Sequence, residues 1–176
     1  MTPQRPKSMT VSSILNFVFG GLGIIFALTG IVNSSSMMSN PLNAMANNLP
    51  PEVAQMAGTY GVLIGFLSLA VGGVAIVSGI GLMQMARWGR GWTFGYAIAG
   101  IANCIIAFLI MLLITAATLA KIHPNNGADP NKAFSIVIAG AAFVGLAKCT
   151  YPVVLLFFLR SPKWKEAFAT NSTGNA

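Results

Sequence analysis

Four long apolar runs, separated by polar segments, dominate the pattern of the chain. Each run exceeds the roughly 20 residues that a helix needs to cross a hydrocarbon core of about 30 Å. Inside a bilayer only a helix satisfies its backbone polar groups within one segment, so each run is predicted to be helical. The runs cover about residues 11–32, 61–83, 93–120 and 134–159.

The polar segments between the runs define the rest of the predicted organisation. A tail precedes the first run, a short inner turn joins the second run to the third, and two outer loops make the other connections. The predicted ranges are 1–10 for the N-terminal tail, 11–165 for the membrane domain, 33–60 and 121–133 for the outer loops, 84–92 for the inner turn and 166–176 for a flexible C-terminal tail.

The first outer loop contains two further helix signals. Leu42, Met45 and Leu49 recur at helical spacing, which predicts a short helix lying on the membrane. Pro51 followed by Glu52 is typical of a helix start, with proline at the first position and an acid in the first turn. The second helix is therefore predicted to begin before it enters the membrane.

Composition excludes the main soluble classes. Apolar residues make up 55% of the 176 residues and charged residues 7%, whereas soluble domains carry about 25% charged residues. This hydrophobicity excludes disorder, and two cysteines exclude a disulfide-rich secreted scaffold. The net charge of +7 does not indicate nucleic acid, because the basic residues are distributed between the apolar runs.

The distribution of basic residues instead predicts the orientation in the membrane. Short loops that are rich in lysine and arginine stay in the cytoplasm, so both termini are predicted to be cytoplasmic. The predicted inner side also holds all three tryptophans, which are expected at the interface. The basic residues of this side are Arg5, Lys7, Arg87, Arg90, Arg160, Lys163 and Lys165, and the interface anchors are Trp88, Trp92, Trp164, Arg87, Arg90 and Arg160.

Small residues recur every four positions along the second and third runs. Close backbone approach through such faces drives much of the helix association in a bilayer. We therefore predict an up-down-up-down bundle, and a glycine face left over from it offers an alternative role in homo-oligomerisation. The predicted packing residues are Gly61, Gly65, Gly73, Gly81, Gly91, Gly95 and Ala99.

Lys148 is the one charged residue inside an apolar run. It lies 11 residues before Leu159, which places it about 16 Å from the inner end of its helix. Asn103 is predicted at nearly the same depth, and Thr150 and Tyr151 are adjacent. The functional interpretation is a polar layer that binds an anion, a lipid headgroup or a substrate. The alternative is a structural lysine, or one that snorkels towards the interface.

No arrangement typical of catalysis or of a cofactor site occurs in the sequence. Cys104 and Cys149 share a predicted depth, but a metal site needs three or four ligands, and no histidine or acid is predicted there. Three acidic residues and one histidine, all outside the apolar runs, make an intrinsic enzyme improbable. We therefore expect a non-enzymatic protein with no cofactor.

Two patches resemble uncharacterised families of small bacterial four-helix membrane proteins. One is residues 79–90, with its glycines, leucine and Arg-Trp-Gly-Arg; the other begins at Tyr151-Pro152 and continues to Phe168. Together they cover about a fifth of the chain. The resemblance implies a fold and a membrane location, but no activity.

The sequence thus predicts an all-α, four-helix transmembrane bundle in a plasma or bacterial inner membrane. Its expected partners are the lipid bilayer and either further copies of the chain or another membrane protein, with no nucleic acid. The leading functional hypothesis is helix packing or partner contact without catalysis. The alternative is a small transporter or channel subunit with a polar layer at Lys148 and Asn103.

Overall fold

The computed structural model describes residues 6–39, 51–121 and 130–170, and nearly all of them are helical. The predicted surface helix of the first outer loop lies outside these residues. The fold is all-α, as the sequence predicts. In chain order the helices are α1 (Lys7–Ser39), α2 (Pro51–Met83), α3 (Arg87–Lys121), α4 (Pro130–Arg160) and α5 (Pro162–Thr170).

Three of the described helices are long and apolar enough to cross a membrane. They are α1, α2 and residues Arg87–Thr118 of α3. Large apolar side chains remain exposed along them, including Phe26, Phe66 and Leu109. In water such continuous apolar surface would favour aggregation, whereas in a bilayer it contacts lipid. The chain is therefore a multi-pass membrane protein.

The helices extend beyond the apolar runs that predict them. Residues 33–39, which the pattern assigns to an outer loop, continue α1. The hydroxyls of Ser35, Ser36 and Ser39 donate to carbonyls three or four residues earlier, at 2.9, 2.7 and 3.1 Å. These bonds satisfy the hydroxyls within the helix, so a polar serine run remains compatible with it. At the start of α2, the helix begins at Pro51, as its proline and acid predict.

The connection between α2 and α3 is only three residues long, because Arg87 and both tryptophans of the predicted inner turn belong to α3. Met85 adopts the left-handed conformation, with φ of 50°. The Ala86 N–H donates to the Gly81 carbonyl at 3.1 Å, and the Met85 N–H donates to the Leu82 carbonyl at 3.3 Å. This bonding ends α2 in a Schellman-type cap and reverses the chain tightly.

Helices that follow one another in the chain pack against one another, and the α1–α2 contact is the most extensive. It extends from Ser13 beside Gly79 to Ser34 beside Gly58. At its centre, a methyl group on Gly20 would lie 2.9 Å from the Gly72 carbonyl oxygen. The two backbones therefore approach as closely as glycine permits, which maximises van der Waals contact where lipid removes the hydrophobic drive.

One end of the molecule is closed by a hydrophobic cluster to which α5 contributes. We call this the basic end, because Lys7, Arg87, Arg90 and Arg160 lie at the helix ends there. The pattern predicts a flexible tail from residue 166, but Ala167 and Phe168 are buried. The cluster consists of Met9, Leu82, Leu159, Trp164, Ala167 and Phe168.

The sequence of α5 accounts for its docking. Trp164, Ala167 and Phe168 follow the i, i+3, i+4 spacing that places side chains on one helix face. Ser161 precedes a proline at the first helical position, and its Oγ accepts from the Trp164 backbone N–H at 3.4 Å. A capped amphipathic helix therefore covers Pro162–Thr170, and residues 166–170 of the predicted flexible tail belong to it.

Candidate functional site

The four residues of the predicted polar layer occupy separate environments. Lys148 and Thr150 are exposed on α4, and the Thr150 hydroxyl donates to the Leu146 carbonyl of its own helix at 2.8 Å. The Asn103 amide donates to the Ser68 hydroxyl of α2 at 3.2 Å. Tyr151 instead points towards α1. The structure therefore does not bring these four side chains together in one site.

Tyr151 belongs to a polar cluster inside the bundle, which connects α4 to α1 and α1 to α2. Its hydroxyl lies 2.9 Å from the Ser12 carbonyl oxygen and also hydrogen-bonds the Asn16 side-chain oxygen. The Asn16 amide donates to the Ser78 hydroxyl at 2.7 Å. We refer to Ser12, Ser13, Asn16, Ser78 and Tyr151 as the polar cluster.

The remaining bonds of the polar cluster end on backbone carbonyls. Ser78 donates to the Ala75 carbonyl at 2.8 Å, and Ser13 donates to the Gly79 carbonyl at 3.2 Å. The Phe19 ring covers Tyr151, with ring centroids 4.7 Å apart. Because the hydroxyls of Ser13, Ser78 and Tyr151 and the Asn16 amide have partners inside the bundle, the polar cluster is built to join helices.

The sequence predicts Tyr151 as part of a polar site, whereas Asn16, the centre of the polar cluster, is absent from that prediction. A signal for it exists, because Asn16 is the one asparagine inside the first apolar run. Polar side chains within a spanning segment almost always face the bundle interior. Its partners, Ser78 and Tyr151, are 62 and 135 residues away along the chain. Such pairings depend on the relative rotation of the helices, which the apolar pattern does not specify.

Replacing Asn16 by leucine is expected to lower the free energy of unfolding by about 1 kcal/mol, the scale of an interhelical hydrogen bond in a membrane. The loss is modest because the Ser12 and Ala75 carbonyls remain available to Tyr151 and Ser78. Denaturant titration in mixed micelles measures it. Thr29→Val is the control, because Thr29 is exposed and bonds only within α1. Equal losses in both variants would contradict a role for the polar cluster.

Asn103 retains an unused acceptor. Its Oδ1 is buried and has no hydrogen-bond partner in the part of the chain that the structure describes. One residue further, Cys104 of α3 lies beside Cys149 of α4, and the two cysteines form no disulfide. Among the described residues, no group of three or more histidine, cysteine or acidic side chains could hold a metal ion.

The predicted packing residues fall into two groups. Gly61 and Gly65 contact Ser34 and Ile31 of α1, and Gly81 contacts Gly89 of α3. The other three glycines have no atom within 4 Å of the place where a Cβ would lie: Gly73, Gly91 and Gly95.

Part of the small-residue face of α3 borders an open cavity of about 400 Å³ between α2 and α3. This cavity is lined by Val74, Trp88, Gly91, Trp92, Gly95 and Ala99. Small residues thus permit close packing there, but within the described chain no helix occupies that face.

The predicted interface anchors also divide into two groups. Trp88 and Trp92 are 45% and 46% exposed, which suits amphipathic rings at headgroup level. Trp164 is 1% exposed and belongs to the hydrophobic cluster at the basic end. The three anchor arginines, Arg87, Arg90 and Arg160, are exposed at that end.

These arginines border a larger cavity between α3 and α4, with a volume of about 730 Å³. Its other walls are almost entirely apolar. They consist of Gly91, Phe94, Ile98, Val153, Leu156, Phe157 and Leu159. The arrangement combines three cations at one end with a hydrocarbon-like lining along the helices.

No family model, curated protein or solved structure matches the chain. Three features of the chain's own residues bear on its function: the filled polar cluster, the exposed Lys148 on α4, and the arginine-lined cavity.

Proposed function

We propose that the chain is a four-span, up-down-up-down bundle with both termini in the cytoplasm, and that it acts without catalysis by contacting a partner inside the membrane. Support for the fourth span comes from α4, whose 31 residues correspond to about 46 Å of helix. Support for the orientation comes from the basic end, since short basic segments stay in the cytoplasm.

The partner contact is inferred from the position of Lys148. It is exposed on α4, a helix that also exposes the large apolar side chains of Phe143 and Leu146, by 75% and 71%. Its depth of about 16 Å from Leu159 places it within the hydrocarbon of a spanning α4. A lysine there costs about 2.5–3.5 kcal/mol by insertion scales. Contact with a carboxylate of a neighbouring helix would offset that cost.

The chain's own acids indicate what kind of partner supplies this carboxylate. Its three acidic residues are Glu52, Asp129 and Glu166, and all lie outside the apolar runs. Glu52 is in the first turn of α2 and Glu166 is in α5. A second copy of the chain therefore has no acid to place beside Lys148 at mid-membrane depth. The proposed partner is a different membrane protein with an Asp or Glu inside a spanning helix.

Replacing Lys148 by methionine is expected to reduce contact with this partner at least tenfold, because truncating one side of a buried charge pair costs about 2–5 kcal/mol. A photoreactive amino acid at Gly145, one turn before Lys148 and with open space where its side chain would lie, measures the contact as crosslinked product in native membranes. Lys148→Arg keeps the charge and is expected to retain most of the crosslinking. Lys163→Met is the matched control, because it removes an exposed lysine of α5.

Reversing the two charges tests whether Lys148 and the partner's acid form an ion pair. Lys148→Asp should abolish crosslinking, and changing the partner's acid to lysine should restore it. Crosslinks that are unaffected by Lys148→Met, or that form only to lipid, would contradict the partner proposal.

The second candidate is a transporter or channel subunit, favoured by the buried Oδ1 of Asn103, which has no hydrogen-bond partner among the residues that the structure describes. It requires a wet path that reaches Asn103 and Lys148. The 730 and 400 Å³ cavities are lined by neither residue. Flux through reconstituted vesicles that Lys148→Met abolishes, with crosslinking unchanged, would favour this candidate instead.

A further inference from the structure

The cavity of about 730 Å³ between α3 and α4 has a polar end and an apolar end. Arg87 and Arg90 are in the first turn of α3, and Arg160 is the last residue of α4. Ile98 is eight residues further along α3 than Arg90, or about 12 Å. Val153 is seven residues before Arg160, or about 10 Å. The cavity therefore extends from the membrane surface into the hydrocarbon.

The electrostatics of the polar end favour an anion. The first turn of α3 contains two arginines and no acid, although the N-terminal end of a helix dipole disfavours cations. Among the described residues, the side chains of Arg90 and Arg160 form no hydrogen bond or ion pair. Two guanidinium groups from different helices thus line one cavity with their donors available.

We propose that this cavity binds one anionic glycerophospholipid of the adjoining leaflet. Its phosphodiester would contact Arg90 and Arg160, with Arg87 at the same rim. The planar guanidinium fork suits phosphate oxygens and can bind them in a bidentate manner. The start of an acyl chain would lie along Phe94, Ile98 and Val153. Basic pockets between spanning helices are a recognised setting for anionic headgroups.

The headgroup class follows from the local charge. A zwitterionic choline headgroup would bring a quaternary ammonium close to three arginines, whereas an anionic headgroup adds no cation. Membrane orientation alone does not account for arginines that converge on a cavity. Lys163 and Lys165 contribute to the same basic end from α5 without lining it.

The first test compares two variants of equal charge. The full-length protein in a neutral detergent is titrated with phosphatidylglycerol or phosphatidylcholine, and bound lipid is counted by native mass spectrometry. Arg90→Gln with Arg160→Gln is expected to weaken phosphatidylglycerol binding about tenfold or more. Lys163→Gln with Lys165→Gln should leave it within about twofold. Equal losses in the two variants, or equal binding of the two lipids, would overturn the proposal.

The second test leaves the charges unchanged and fills the apolar end. Val153 lines the cavity and Val154 does not, while both are 39% exposed on α4. Val153→Phe is expected to reduce phosphatidylglycerol binding at least fivefold, and Val154→Phe should not reduce it. If the arginine double variant fails to fold, the comparison of Val153→Phe with Val154→Phe still tests whether the cavity binds the lipid.

Glycerophosphoglycerol, which carries the same phosphodiester and headgroup without acyl chains, distinguishes a lipid from a free phosphate ligand. Phosphatidylglycerol should bind at least tenfold more tightly than glycerophosphoglycerol. Equal affinities, or equal binding by Val153→Phe and Val154→Phe, would show that the apolar walls play no part and would overturn the lipid assignment.

Discussion

Replacing Gly89 by alanine is expected to lower the free energy of unfolding by about 3 kcal/mol, the upper part of the range for overpacking. A Cβ at Gly89 would lie 2.6 Å from both the Cα and the carbonyl oxygen of Gly81. These are backbone atoms of a neighbouring helix and cannot rotate away. Relief requires separating α2 from α3 next to their three-residue connection, where the Schellman-type cap fixes the end of α2.

The measurement is denaturant unfolding of the purified protein in mixed micelles, together with the yield of monodisperse protein. Gly95→Ala is the control, because no atom lies within 4 Å of the place where its Cβ would be. Alanine there is expected to leave stability unchanged or to raise it slightly through helix propensity. If Gly89→Ala unfolds at the same denaturant concentration as Gly95→Ala, the contact between Gly81 and Gly89 is not needed for the fold.

The packing of α3 illustrates what the apolar pattern could and could not predict. The spacing of Gly91, Gly95 and Ala99 indicated a small-residue face, but the structure places Gly89 in the closest contact with α2. Glycine spacing indicates which helix faces allow close approach, but it does not indicate which neighbouring helix packs against each face. The left-handed Met85 and the short connection determine how α3 is rotated against α2. That rotation depends on the conformation of the turn, and the periodicity of apolar residues along the helices does not specify this conformation.

The same limit applies to the candidate sites. The sequence predicts how far along a helix a residue lies, but it does not predict in which direction its side chain points. Counting residues along a helix predicts the depth of Lys148, Asn103 and Tyr151, and it predicts a shared depth for Cys104 and Cys149, which lie beside each other in the structure. It could not show that Tyr151 turns towards Asn16 of α1 while Lys148 remains exposed. The position of the arginines between apolar runs likewise predicts only that they lie at the membrane interface. Only the packing of α3 on α4 shows that Arg90 and Arg160 border one cavity.

Replacing Trp164 by alanine is expected to lower the free energy of unfolding by about 3–5 kcal/mol, the range for truncating a buried tryptophan. The side chain is 1% exposed and stacks on Phe158, with ring centroids 5.8 Å apart. Its indole N–H donates to the Ser8 hydroxyl at 3.0 Å, which joins α5 to the start of α1. Water is close to this end of the molecule, so burial there gains from the hydrophobic effect as well as from packing.

Two further variants identify the cause of the lower free energy of unfolding in Trp164→Ala. Trp92→Ala removes an indole that is 46% exposed, so its expected loss in the same unfolding titration is below about 1 kcal/mol. Trp164→Phe keeps most of the packed volume but removes the donor to Ser8, which isolates about 1 kcal/mol for the hydrogen bond. Equal losses for Trp164→Ala and Trp92→Ala would mean that Trp164 is an interface anchor, as the sequence predicts. A large loss confined to Trp164→Ala would instead make α5 a folded part of the bundle, which holds the two ends of the described chain together.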